Sequence, residues 1–297
     1  MIYLIPNGGL GNQMFQYAAA KALSLRLNTE LVIDLSFHEL HRNKSWNRNY
    51  ELNIFDLKAT IRTKNFKGVA MCRLKEIFEK MSWNKEKLLP FGIFSDTCPF
   101  AYDNRFDNVK NSTVLLGYFI NETYFKNYVK DICQDFTFLQ PLNEQNQLIA
   151  DEISACNSVS IHIRRGDYLS DKNAANIFAN LSLDYYHAAI QHIINKVKEP
   201  RFFIFSDDME WAKQQFTEHS CCFVDINHGK NSYNDMRLMS LCKHNIIANS
   251  SFSWWGAYLN NHPEKIVIAT ENWFKNKEEN DKAVIANLLP KQWIKYG

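Results

Sequence analysis

Short apolar runs alternate with stretches of helical spacing along most of this chain of 297 residues. Residues 2–5 predict a strand, the turn Gly8-Gly9-Leu10-Gly11 follows, and Asn12 to Leu27 carries helical spacing rich in alanine and leucine. Residues 30–34 predict the next strand, so the chain opens with a strand, a turn, a helix and a second, parallel strand. From Phe37 to Phe106 the pattern blurs into aromatic and basic residues, with a helix expected from Val69 to Met81. Val114 to Phe119 reads as a strand and Tyr124 to Phe136 as a helix. Pro141 and an Asn/Gln stretch then lead into a helix ending near residue 155.

Beyond that point the alternation sharpens. Strands are expected at 158–163, 201–205, 221–226, 245–248 and 265–269, with helices at 183–198, 208–217, 233–243 and 253–260 between them. The reading is α/β throughout: an N-terminal domain over 1–150 and a doubly wound, Rossmann-like domain over 151–297.

Composition narrows the function classes. With 46% hydrophobic and 14% aromatic residues the chain can bury a core large enough for two domains. Lys and Arg outnumber Asp and Glu by only 34 to 32, so there is no broad basic field for nucleic acid, and any anion site is local. Residues 1–6 lack the start of a signal peptide, and no segment reaches membrane-spanning length. This reading places the chain in the cytoplasm, with at most peripheral contact at the inner face of the membrane. Seven cysteines without a C-x-x-C spacing predict buried thiols and neither disulfides nor a zinc site.

In open parallel sheets ligands bind beyond the carboxyl ends of the strands, and here those ends are polar. Strand 158–163 carries His162 and runs into Arg164, Arg165, Gly166 and Asp167. On a pleated strand His162 and Arg164 share one side while Ile161 and Ile163 take the other. An arginine pair there suits the oxygens of a diphosphate, whereas an Arg165–Asp167 ion pair over the Gly166 turn is the plainer alternative. Strand 201–205 ends in Ser206, Asp207 and Asp208; the acids could cap the following helix or accept the N–H edge of a guanine. Strand 245–248 ends in Asn249, Ser250, Ser251, Phe252 and Ser253, where hydroxyls and helix-start N–H groups suit phosphate oxygens. One capping serine is the simpler account of that stretch. The turn with Gly9 and Gly11 matches a dinucleotide fingerprint only loosely, because Met14 stands where the last glycine belongs. It lets backbone approach a ligand closely, with the amides of Asn12 and Gln13 beside it. No D-x-D or H-E-x-x-H spacing argues for a metal.

Four segments together, G-G-L-G-N-Q-M-F-Q-Y-A at 8–18, H-I-R-R-G-D-Y at 162–168, F-S-D-D at 205–208 and S-S-F-S-W-W-G-A-Y-L at 250–259, resemble the bacterial type of family-11 glycosyltransferases, the α1,2-fucosyltransferases. The resemblance spans nearly the whole chain. It implies a GT-B-like fold of two facing Rossmann-like domains with a cleft between them, GDP-β-L-fucose as donor and a terminal galactose as acceptor, free or on a lipid-linked glycan. It also implies inversion at the anomeric carbon, with no cofactor and no metal. The wider fucosyltransferase group is similar in its H-x-R segment, which gives Arg164 the diphosphate and Arg165 a place beside it. By the same resemblance Asp207 or Asp208 reads guanine, Ser250 to Ser253 hold the phosphates, and Asn12 faces the reacting sugar. Asp34, His38 and Glu39 are candidates for a general base, or the good leaving group makes one unnecessary. Trp46, Tyr50, Trp83 and Tyr102 are candidate stacking residues for acceptor sugars.

Overall fold

The computed structural model describes residues 1–41, 49–63, 66–81, 84–166, 172–217, 220–276, 280 and 287–296, without the side chains of residues 37, 40, 66, 67 and 172–174. Trp46, Trp83 and Asp167 therefore lie outside the described residues. The chain divides into two compact units, Met1–Gln140 and Pro141–Gly297. The helix Glu144–Ser154, which a division at 150 would cut, belongs whole to the second unit.

The first unit holds a five-stranded sheet in which every pairing is parallel. Its strands are β1 (Ile2–Leu4), β2 (Leu31–Asp34), β3 (Thr60–Arg62), β4 (Ile93–Phe94) and β5 (Val114–Leu115), ordered β3-β2-β1-β5-β4. The helix Leu10–Arg26 is buried on most of its circumference, including Ala18, Ala19 and Ala20, which explains its small residues. The strand expected over 114–119 ends at Leu115, and Phe119 adopts a φ of 52°. In place of one helix over 124–136 there are two 3₁₀ turns and a short helix, Val129–Asp135.

The second unit holds a six-stranded parallel sheet: β6 (Asn157–Ile163), β7 (Pro200–Ser206), β8 (Cys221–Phe223), β9 (His244–Ile246), β10 (Val267–Thr270) and β11 (Ile294–Tyr296). The order β11-β10-β9-β6-β7-β8 is the 3-2-1-4-5-6 arrangement of a Rossmann sheet read from the far edge. The strand order reverses between β6 and β9, and the crevice beyond the carboxyl ends at such a reversal is where open α/β sheets bind ligands. Two apolar layers cover the faces. Val159, Ile161 and Ile163 pack with Tyr186, Ile190 and Ile193 on one side, while Phe203, Phe205, Leu238 and Met239 share the other layer with Ala150 and Ile153.

No helix among the described residues is long and apolar enough to cross a membrane. The seven cysteines are free thiols, but only Cys72 and Cys242 are buried; the other five are half-buried, contrary to the expectation of a fully buried set.

Candidate functional site

β9, β6 and β7 are neighbours, so the three polar strand ends read from the sequence lie along one edge. Beyond β6 the backbone turns at Arg164, Arg165 and Gly166 against the end of β7. One carboxylate organises that turn: Asp207 Oδ1 accepts the N–H groups of Arg165 (2.8 Å) and Gly166 (3.0 Å). Its Oδ2 lies 3.4 Å from Nε of Arg164. A Cβ at position 166 would stand 2.9 Å from the Asp207 carbonyl oxygen, so only glycine permits this approach.

Asp208 caps the helix Met209–Gln215 by accepting from the Trp211 N–H, and its Oδ2 stands 3.3 Å from Nε of Arg165. That Nε is buried and in ion-pair contact without the alignment of a hydrogen bond. The Arg165 guanidinium also lies 4.6 Å from the centre of the Trp211 ring, a cation–π contact that fixes its plane. Ser206 Oγ accepts the Asp208 N–H at 3.0 Å. The Arg165–Asp167 pair read from the sequence falls outside the described residues; among those described the arginines pair with acids of the next strand, Arg164 with Asp207 and Arg165 with Asp208. Both acids are engaged in positioning the arginines and the turn.

His162 is buried beneath Phe252, their ring centres 5.8 Å apart, and its Nδ1 has no hydrogen-bond partner. Burial pushes its pKa well down, the Arg164 charge adds to this, and Asp207 opposes it. The imidazole is therefore neutral at physiological pH. The Tyr186 hydroxyl donates to the His162 carbonyl oxygen (3.3 Å) and the Tyr185 hydroxyl to that of Ile247 (2.6 Å), so one helix, Leu183–Lys196, pins the ends of both central strands.

Two residues of the serine stretch, Asn249 and Ser253, are fully buried. The helix begins at Ser251 with Ser250 as its cap, whose Oγ accepts the Phe252 N–H. Ser253 consequently falls inside the first turn, fully buried, its hydroxyl turned toward the Ser250 and Ala248 carbonyl oxygens. Asn249 is also fully buried and donates from Nδ2 to Ala179 O and Trp273 O, tying the β9 end to two neighbouring segments. Ser250, Ser251 and Phe252 stay half-exposed at the helix start, which the buried Trp254 and Trp255 hold against the core.

In the first unit the glycine turn follows β1. Gly8 has a φ of 74°, and a Cβ there would meet Nδ2 of Asn12 at 2.8 Å, so the Asn12 side chain lies against Gly8. Gly9 caps the helix Leu10–Arg26, and Gly11, placed in the turn by the sequence, lies buried inside its first turn. Gln13 is wholly buried and structural: Nε2 donates to the carbonyl oxygens of Gly8 and Asn49 (2.8 Å each), and Oε1 accepts the Glu51 N–H. Gln16 clasps the backbone of Asn7 in the same way.

Of the three candidate bases, Asp34 is buried and accepts the Ser36 N–H, His38 is buried against the Pro6 carbonyl oxygen, and Glu39 is exposed. Tyr102 donates to Asp107 and packs against Tyr124 and Phe106, which makes it part of an aromatic cluster. Tyr50 is half-exposed, with its hydroxyl buried.

A titratable group that the sequence reading passed over is Asp235, in the first turn of the helix Tyr233–Leu241. Burial pushes its carboxyl up to about 7, against the hydrogen bond donated by Asn227. The folded protein thus holds a proton that the unfolded chain releases near pH 4, and stability falls as pH rises from about 4 to 7. Asp235→Asn keeps an acceptor for Asn227 and removes the penalty; it should raise stability at pH 8 by about 1–3 kcal/mol and leave it unchanged at pH 4. Urea unfolding at the two pH values checks this.

Three comparisons bear on this arrangement. The family model described as Glycosyl transferase family 11 matches residues 102–295. The chain belongs to that family. Over 92% of its length this family-11 chain is 35% identical to the O-antigen biosynthesis glycosyltransferase WbnK of Escherichia coli, across 95% of that protein. It is 34% identical to an alpha-1,2-colitosyltransferase of Escherichia coli, covering 97% of this chain and 96% of the relative. A galactoside alpha-(1,2)-fucosyltransferase 1 of Saimiri boliviensis boliviensis is 26% identical over 49% of this chain and 42% of that protein. Among solved structures, that of an Arabidopsis thaliana FUT1 mutant in complex with GDP matches 90% of this chain and 70% of its own with a TM-score of 0.54 at 12% identity. The family-11 chain therefore has the GT-B-like fold of fucosyltransferase-type glycosyltransferases.

Proposed function

We propose that this protein transfers L-fucose from GDP-β-L-fucose to the 2-hydroxyl of a terminal galactose, with inversion and without a metal. The observation that carries the reading is Arg164, set by Asp207 at the carboxyl end of the central strand β6, at the point where the sheet order reverses. The relatives named for α1,2 transfer support the linkage.

In the proposed reaction the acceptor oxygen forms a bond to the anomeric carbon as the bond from that carbon to the β-phosphate oxygen breaks. The electron pair leaves with GDP, and the hydroxyl proton goes to solvent or to a base. Charge grows on the departing diphosphate. In this reading Arg164, Arg165 and the helix start at Ser250 and Ser251 stabilise it, since donors fixed before reaction act without reorganisation. Cationic donors of this kind supply the role a divalent ion plays elsewhere. The partners proposed are GDP-fucose and a galactose-terminated glycan, free or lipid-linked, met at the cytoplasmic face of a membrane.

A second reading has its own support, because a relative matching over almost the entire chain is a colitosyltransferase. Colitose is L-fucose without its 3-hydroxyl, so the same diphosphate grip serves either donor. The deciding experiment offers GDP-fucose and GDP-colitose with a panel of β-galactosides, with and without excess EDTA, and determines the product linkage by NMR. Expected are α1,2 transfer from GDP-fucose and an unchanged rate with EDTA. Transfer from GDP-colitose alone moves the assignment to the second donor; loss of activity restored only by a divalent ion overturns metal independence. Release of no GDP from either donor leaves a nucleotide-binding module.

A further inference from the structure

The sheet of the first unit also reverses its strand order, between β1 and β5. The glycine turn follows β1 on the carboxyl edge, and beside it β5 runs on into Gly117-Tyr118-Phe119. That segment leaves the sheet under constraint. Asp96, buried just past β4, accepts the N–H groups of Tyr118 (3.1 Å) and Phe119 (2.8 Å). A side chain at position 117 would run into the same carboxylate. Phe119 sits in the left-handed region at φ 52°, unusual for a bulky residue, and its ring is wholly buried among Phe94, Phe106 and Tyr124.

With Phe119 anchored inward and the backbone clamped by Asp96, Tyr118 stands outward. Among the described residues of the first unit only two aromatic side chains are exposed, Phe91 at 54% and Tyr118 at 38%. Phe91 precedes β4 and so belongs to the opposite, amino-terminal end of the sheet. Tyr118 is thus the one exposed aromatic residue, among those described, on the edge where ligands meet such a sheet. A partly exposed ring beside backbone tied down by Asp96 fits a ligand with an apolar face and polar rim. The C3, C4 and C5 hydrogens of a β-galactoside make such a face.

We infer that Tyr118 is a binding residue for the acceptor, a stacking platform for its galactose ring, positioned by Asp96 and by the inward anchor of Phe119. This rests on the galactoside-transferase reading above, from which it is separable by experiment. The test compares Tyr118→Ala and Tyr118→Phe with the wild type in transfer to lactose. It adds donor hydrolysis measured without acceptor, and lactose binding measured directly by saturation-transfer NMR.

Loss of the ring should raise the acceptor KM about tenfold or more, with donor KM and hydrolysis unchanged. The phenylalanine variant, which keeps the ring and loses the hydroxyl, should stay within about threefold of wild type. An unchanged acceptor KM in Tyr118→Ala overturns the proposal, as does equal loss in both variants, which would assign the role to the hydroxyl. If the wild type transfers neither donor sugar, the parent reading fails and the binding measurement decides alone. Lactose signal lost in Tyr118→Ala then sustains the subsite, and equal or absent signal in both proteins removes it.

Discussion

Arg164→Ala is expected to lower the rate of transfer by about 10²–10³-fold, the scale on which a preorganised donor to a developing anion acts. The fold should survive, because the Arg164 side chain is about one-third exposed and contributes nothing to either apolar layer. Arg164→Lys should fail nearly as badly. A guanidinium can offer one nitrogen to Asp207 and others to the diphosphate in a fixed plane, whereas an ammonium is a single point of charge on a flexible stem. Labelled donor followed to product, with melting curves run alongside, checks both variants; a near-normal rate in either removes Arg164 from the proposed chemistry.

The second large effect is expected at a residue that need not touch the donor. Asp207→Ala takes the acceptor from two backbone N–H groups and the counter-charge from Arg164, so it should cost about 1–3 kcal/mol of stability and lower transfer tenfold or more. Asp207→Asn keeps an acceptor oxygen for the turn but not the charge, and should recover stability better than activity. Unfolding curves and kcat measured on both variants separate the two roles.

The acid response follows from the same group. Burial would raise the Asp207 carboxyl, yet Arg164 and the N–H groups of Gly166 and Arg165 outweigh it and hold it below the usual range. Its contribution is present above about pH 4 and is lost only as pH falls through its lowered folded value. His162 and His244, both pushed down chiefly by burial, act earlier. Their unfolded forms take up protons near pH 6.5 while the folded forms do not, so they cost stability as pH falls below that point.

Much of this was legible in the chain because parallel α/β units write themselves plainly: a short apolar run, a turn, an amphipathic helix. The strands at 158–163 and 201–205 and the shared edge of their polar ends came from that pattern, and the structure has β6 and β7 paired over their whole length. What escaped lacks the pattern. Thr60–Arg62 is an edge strand exposed at all three positions, and Ile93–Phe94 has two residues, too short for any period to register. The helix expected to begin at 253 begins at Ser251, which carries Ser253 inside the first turn instead of leaving it at the start. Gln13 likewise looked like a ligand group because its partners, Asn49 and Glu51, stand more than thirty residues away. Tyr118 was hidden in a mostly apolar run in which Gly117 was the one letter marking that the chain leaves the sheet after Leu115.

The pairing of Arg164 with Asp207 and of Arg165 with Asp208 also bears on traffic through the site. These four side chains sum to no net charge, so between them they make no open cationic trap that would draw in any passing polyanion. In the proposed reaction an incoming diphosphate would share the arginines with resident carboxylates, exchanging one set of ionic partners for another instead of neutralising a bare charge. Such an exchange would depend weakly on ionic strength, and the carboxylates beside the arginines would stand ready to reclaim them as the proposed nucleotide product leaves.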